Sequence, residues 1–106
     1  MINDILGNLG IPITESYFVK PPSDTYMIYL EDISTDGADG INAIYTHDYV
    51  IEVYEPQKDD ESIYKIESAL NAAGISWAKN GRTWLTEEQR YMTTYEFTMI
   101  EKRCIK

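Results

Sequence analysis

The chain has almost none of the side chains from which catalytic and metal centres are built. A single cysteine, Cys104, excludes an internal disulfide and a thiolate cluster. A single histidine, His47, excludes a histidine-based metal site and leaves no spare member for a histidine–carboxylate–nucleophile set. Neither a GxGxxG turn nor a GxxxxGK phosphate loop occurs. No apolar run approaches ~18 residues, and the first residues lack the basic patch and apolar segment of an export signal. These absences predict a soluble protein of a reducing cytoplasm, not an enzyme, with no cofactor, no metal and no membrane partner.

Positive charge is scarce as well. Nine Lys and Arg face 18 Asp and Glu, a net of −9, which argues against a protein that replaces counterions along duplex nucleic acid. The first 62 residues hold 13 acidic and two basic side chains, and the remaining 44 hold five and seven. If the two halves face different directions, a basic side can meet a neighbour's acidic side, the head-to-tail arrangement that builds rings or filaments. The plainer reading of the acids is a solubility shell.

Phenylalanine is rare, two residues against nine Tyr. Tyr joins an apolar body to a polar tip and suits half-buried sheet faces and protein interfaces. With 43% hydrophobic and 25% charged residues over 106 positions, the composition supports one globular domain, residues 1–106, with a modest core.

Periodicity supplies the elements. Ile2, Ile5, Leu6 and Leu9 recur at helical spacing, predicting a short helix over 2–9 that Gly10 and Pro12 end. The β-rich runs 14–20 and 25–32 flank Pro21-Pro22-Ser23-Asp24 and read as a hairpin. In the second run both faces are apolar or aromatic, as in a strand covered on both sides. Residues 34–42, with two glycines and two aspartates, read as a loop; its acids do not match the spacing of a calcium-binding loop. Residues 43–55 form a long strand with Tyr45, His47, Tyr49, Ile51 and Val53 on one face.

Pro56 ends that strand. Asp59 or Asp60 caps a helix running to about Ala73, with Ile63, Ile66, Ala69, Leu70 and Ala73 on its buried stripe, an exposed Glu61–Lys65 pair, and Gly74 at the position after the cap. Asn80-Gly81 is either a two-residue hairpin turn or a bulge within one strand over 75–85; the bulge is preferred, because it leaves a partner long enough for the last strand. In that strand Tyr91, Thr93, Tyr95, Phe97 and Met99 share a face, and residues 102–106 read as a basic, frayed tail. The fold class is α+β, a mainly antiparallel sheet with the short helix and the longer amphipathic helix on one face.

Few residues invite a chemical role. His47 shares its strand face with Tyr45 and Tyr49 and reads as a satisfied sheet histidine, the alternative being a catalytic or pH-sensing one. Cys104 lies among Lys102, Arg103 and Lys106, where cations lower a thiol pKa, but no histidine follows to use it. Trp77 and Trp84 flank the Asn80-Gly81 bend and read as packing or interface residues, with base or sugar stacking as the alternative.

The succession Tyr49-Val50-Ile51-Glu52-Val53-Tyr54, a proline and Lys-Asp turn, a helix ending Ala-Leu-Asn-Ala-Ala-Gly, a Trp-bearing strand, Thr-Glu-Glu and Tyr91…Tyr95-Glu96-Phe97 resembles the tail-terminator and tail-to-head joining proteins of long-tailed bacteriophages and prophages. The resemblance extends over about 90 residues and lies in the order of elements and the aromatic positions. It implies a structural protein that forms a ring, commonly a hexamer, at the end of the tail tube. Its partners would be copies of itself, tail-tube proteins and head-connector proteins, first in the host cytoplasm and then in the virion tail. It offers no catalytic residues. Interface candidates are Asp36, Asp39 and Ile41 in the loop, with Trp77, Arg82 and Trp84. The alternative function is a small stand-alone α+β ligand-binding or regulatory module, with an aromatic pocket at Tyr45, His47 and Tyr49.

Overall fold

The computed structural model describes residues 1–36 and 42–104. Its elements are α1 (Ile2–Leu6), β1 (Ile13–Glu15), β2 (Tyr26–Asp36), β3 (Asn42–Glu55), α2 (Asp60–Ala72), β4 (Ala78–Leu85) and β5 (Arg90–Cys104). The strands form one sheet in the order β1-β2-β3-β5-β4. The class is α+β, and every pairing is antiparallel except β1 with β2, so the sheet is mixed.

The parallel β1–β2 pair replaces the hairpin expected from residues 14–32. Ser16 adopts φ 67° and ends β1 after three residues. The chain then makes a ten-residue excursion, and β2 returns in the same direction as β1, with Ile13 beside Met27. The Pro21-Pro22 segment belongs to this crossover and makes no tight turn. It is held by the Arg90 guanidinium, which donates to the carbonyl oxygens of Pro22 and Ser23 at 3.1 and 3.2 Å. Phe18 meets Tyr26 edge-on at 5.3 Å, and Tyr26 stacks on Tyr54 at 5.1 Å. The first half of β2 is therefore covered on both faces, as its double-sided apolar pattern predicts. Leu30, further along, is exposed.

The other face of the sheet carries the core. Met27 of β2, Tyr49, Ile51 and Val53 of β3, and Tyr95 and Phe97 of β5 alternate inward and pack against Ile2 and Leu6 of α1 and Ile66 and Leu70 of α2. Burying Ile66 and Leu70 contributes roughly 1.5–3 kcal/mol each. At the start of α2, Asp59 accepts the Ser62 N–H at 3.1 Å and the hydroxyls of Ser62 and Thr25 at 2.6 and 2.7 Å. The Ser62 bonds above all hold its carboxyl below the ordinary aspartate range. At the far end, Gly74 takes φ 73°, which a side chain rarely tolerates. Its N–H bonds the Asn71 carbonyl while the Ile75 N–H reaches back to Leu70, so both orphan carbonyls are satisfied.

Several boundaries differ from the periodicity. α1 stops at Leu6 rather than Leu9; Leu9 still packs on the core from the loop. Strand pairing reaches into the expected loop 34–42, since Ser34, Thr35 and Asp36 pair with Thr46, Tyr45 and Ile44. At the other end, Lys102, Arg103 and Cys104 are no frayed tail: they pair with Ile44, Ala43 and Asn42, because β3 is long enough to hold them. β4 starts at Ala78, after Trp77, and is a single strand. Asn80 opposes Thr94 and Thr83 opposes Met92, which leaves Gly81 and Arg82 both opposite Thr93. This is the preferred bulge.

Candidate functional site

The helices cover only part of the sheet. β1 accompanies β2 from Met27 to Tyr29, and β4 accompanies β5 from Arg90 to Glu96. Beyond those levels β2, β3 and β5 continue as a three-stranded ribbon, and the molecule is 50 Å long against 28 and 22 Å in its other dimensions. Where the apolar core ends, a polar network takes over. His47, 4% exposed, places Nδ1 2.7 Å from Glu31 Oε2 and Nε2 2.9 Å from Glu101 Oε1. Arg103 Nη2 lies 2.9 Å from the same Glu101 oxygen, and its guanidinium sits 4.2 Å over the Tyr45 ring. Glu31, His47 and Glu101 stand on adjacent strands, so the imidazole ties the ribbon together crosswise.

The charges follow from that geometry. Burial disfavours the imidazolium, but the Glu101 and Glu31 carboxylates outweigh it and raise the His47 pKa. Burial also opposes ionisation of Glu31, where hydrogen bonds from Tyr49 and His47 win and lower its pKa. Arg103 first, then His47, hold Glu101 down at about 2. The Tyr49 phenol is pushed up by burial and by Glu31. With both nitrogens occupied and Tyr49 packed 6.1 Å away in parallel, His47 has no open side for a substrate. The aromatic pocket expected at Tyr45, His47 and Tyr49 is therefore filled: His47 and Tyr49 are buried and Arg103 lies on Tyr45.

A second polar cluster pins α2 to β4. The bulge places Arg82 on the helix side, where Nε and Nη2 contact the two Glu55 oxygens at 3.1 and 3.0 Å and Nη2 reaches Asp60 at 2.6 Å. Glu55 is fully buried and also accepts the Asp59 N–H at 2.7 Å. These bonds raise the Arg82 pKa still further and hold it as a cation. Nearby, Lys79 and the Tyr95 hydroxyl both bond Glu67 Oε2 at 2.6 Å.

The six interface candidates are not brought together. Arg82 faces inward. Trp77 is half-buried, edge-on to Tyr95 at 5.3 Å, and its Nε1 donates to Asn71 at 3.0 Å. Trp84, 44% exposed and edge-on to Tyr91 at 4.9 Å, is the one of these three whose ring faces outward. Asp36 ends β2 at the opposite end of the sheet, and Asp39 and Ile41 lie outside the described residues. The signals that were missed are Glu31, Glu55 and Glu101. Each sits in phase with the core-facing residues of its strand, and an acid at a core-phase position predicts an internal partner.

The split charge maps onto the width of the sheet. The acidic first half supplies β1, β2 and β3, and the second half supplies β5 and β4. On the face without helices, β2, β3 and β5 carry Asp32, Asp48, Glu52 and Glu96 against Arg90 and Lys102, with Asp32 directly opposite Asp48. Four large apolar residues, Leu30, Ile33, Ile44 and Ile100, are exposed on the ribbon.

At the other end of the molecule an open cavity of about 810 Å³ lies between the crossover and the start of α2, among Pro12, Pro22, Asp24, Thr25, Lys58 and Asp59. Among the described residues no group of three or more His, Cys, Asp or Glu is placed to hold a metal, and no helix is long and apolar enough to cross a membrane. Cys104 is the last residue of β5. No known family model matches the chain, and no curated protein is similar to it.

Proposed function

We propose that this chain is a structural assembly subunit which associates with copies of itself into a ring and, on the family resemblance, ends and joins the tail tube of a long-tailed phage. The observation that carries the reading is the bare ribbon. Half of a long sheet projects past its helices with exposed apolar side chains and, among the described residues, no reactive constellation, the shape of a part that works by contact. The polar clusters support the same reading. His47 and Arg82 are spent on internal bonds that stiffen the sheet and its helix, and neither is poised for acid, base or nucleophile work.

In a ring whose helix-free face turns inward, Asp32, Asp48, Glu52 and Glu96 line the lumen. An acidic wall keeps passing nucleic acid from adhering, because its carboxylates outnumber the cations on the same face that could replace counterions. The test is capture. The purified chain is expected to retain tail-tube or head-connector proteins of a long-tailed phage and to cap growing tubes. Absence of both, with the chain folded, rejects the tail reading. The 810 Å³ cavity supports a ligand-binding module as second reading; a melting-temperature shift with small polar ligands, abolished by filling the cavity at Thr25, would favour it.

A further inference from the structure

The two sides of the ribbon are strand edges of a kind that folded proteins rarely leave open. Among the described residues no strand pairs with the outer edge of β2 beyond Tyr29, nor with that of β5 beyond Glu96. Along seven residues of β2 (Leu30 to Asp36) and eight of β5 (Phe97 to Cys104), every second residue therefore turns its backbone N–H and C=O outward without a strand partner. Neither stretch contains a proline or a bulge, two of the usual devices against edge pairing; what guards them is charge, and the exposed charges of the two edges have opposite signs. The remaining outer strands are guarded differently: β1 is three residues long, and β4 is broken by its bulge.

We infer that these two edges are the faces of one contact, in which β2 of one copy adds to β5 of the next and continues the sheet from copy to copy. This rests on the assembly reading above and names its surface. Charge selects the partner. Outside the His47 network, the β2 edge carries the exposed Asp32, whereas the β5 edge carries the exposed Lys102; Glu31 and Arg103 beside them are paired internally with His47 and Glu101. A two-fold contact of β2 with β2 sets acids against acids, and β5 with β5 sets cations against cations; both are unfavourable across a strand pair. Only β2 against β5 matches opposite signs.

Direction selects the assembly. β2 and β5 both run antiparallel to β3, so they run parallel to each other. Two copies in the same orientation then meet edge to edge through a parallel pair. Such a contact is head-to-tail, and repeating it gives a closed ring or an open filament rather than a dimer. Ile33, 51% exposed on the β2 edge, and Ile100, 71% exposed on the β5 edge, lose solvent in that joint. The His47 network locks the ribbon at the level where both edges become free, holding them in a fixed relation.

The test is a charge swap read by light scattering after size exclusion. One variant carries Asp32→Lys with Ser34→Lys on the β2 edge, and the other carries Ile100→Glu with Lys102→Glu on the β5 edge. All four positions are exposed and on the helix-free face. The wild-type chain is expected to form a discrete oligomer weakened by salt. Each variant alone falls to the mass of a single chain with its circular dichroism unchanged, and an equimolar mixture regains the oligomer, since each variant's altered edge then finds its complement. Should a double variant fail to fold, Lys102→Glu alone takes its place. Variants that keep the wild-type mass overturn the edge pairing while leaving a ring built on another surface. A wild-type chain monomeric at every concentration and salt also overturns it, and the capture experiment above then decides the tail reading separately.

Discussion

The covered half of the sheet and the bare ribbon share β2, β3 and β5, yet they are held together by different physics. In the covered half, alternate residues meet α1 and α2 and are stabilised by apolar burial, which is non-directional. In the ribbon no helix among the described residues packs over the strands as α2 does over the core, and the crosswise bonds of Glu31, His47, Glu101 and Arg103 stand in for a core. Polar bonds are directional and depend on protonation. The two halves therefore differ in how they respond to truncation, to pH and to a partner.

The largest expected effect lies in the covered half. Leu70→Ala, at a fully buried position, should cost about 2–5 kcal/mol, visible as a lowered denaturant midpoint. Arg82→Met comes next. It strands the buried Glu55 carboxylate without its cation and should cost about 3 kcal/mol, most of which is recovered by adding Glu55→Leu. A loss unaltered in the double variant would show that packing, not charge, sets the value.

The ribbon should break with pH instead. The folded-state pKa of His47 is raised, so its stabilisation is complete below the unfolded value near 6.5 and lost as pH rises through the folded one. Those of Glu31 and Glu101 are depressed, so theirs is complete above about 4.5 and lost as pH falls through the folded values, Glu101 last at about 2. Stability should therefore peak between these limits. A neutral imidazole donates from one nitrogen only, leaving one carboxylate facing a lone pair. His47→Ala should cost about 1–3 kcal/mol at pH 6 and much less at pH 9, in thermal melts at both pH values.

Smaller effects sharpen the contrast. Thr93 Oγ1 is buried with no hydrogen-bond partner beneath the bulge. Thr93→Val should stabilise by about 1 kcal/mol, because the hydroxyl's desolvation is uncompensated. Ile100→Ser should change stability by no more than about 0.5 kcal/mol while weakening self-association measured by light scattering. An equal loss in stability would mean that the ribbon's outer face is already covered.

Much of this was legible. α2 declared itself through Ile63, Ile66, Ala69 and Leu70, the Asp59 cap and Gly74, although Ala73, expected on the buried stripe, caps the helix and is exposed. Capping and periodicity are local, and most requirements are met within a few positions. A bulge at Asn80-Gly81 follows from the length its partner strand needs, and the structure places it at Gly81 and Arg82. The parallel β1 was not legible, since Thr14 to Lys20 is equally β-rich whichever neighbour it takes. Nor was the role of Arg82. Its exposed-looking context hid a partner 27 positions earlier in the chain.

By itself, then, the sequence determined most of the elements, the α+β class, the inward faces of β3 and β5 and the imbalance of charge, all of them set by spacing and composition along the chain. Only the tertiary structure decided which strands are neighbours, which acids are internal and how far the helices reach. Those are contacts between distant residues, made when loops close and chosen by the packing of the whole. The edges of β2 and β5 that no described strand pairs with are the clearest case, because an edge exists only once every other strand has found its place.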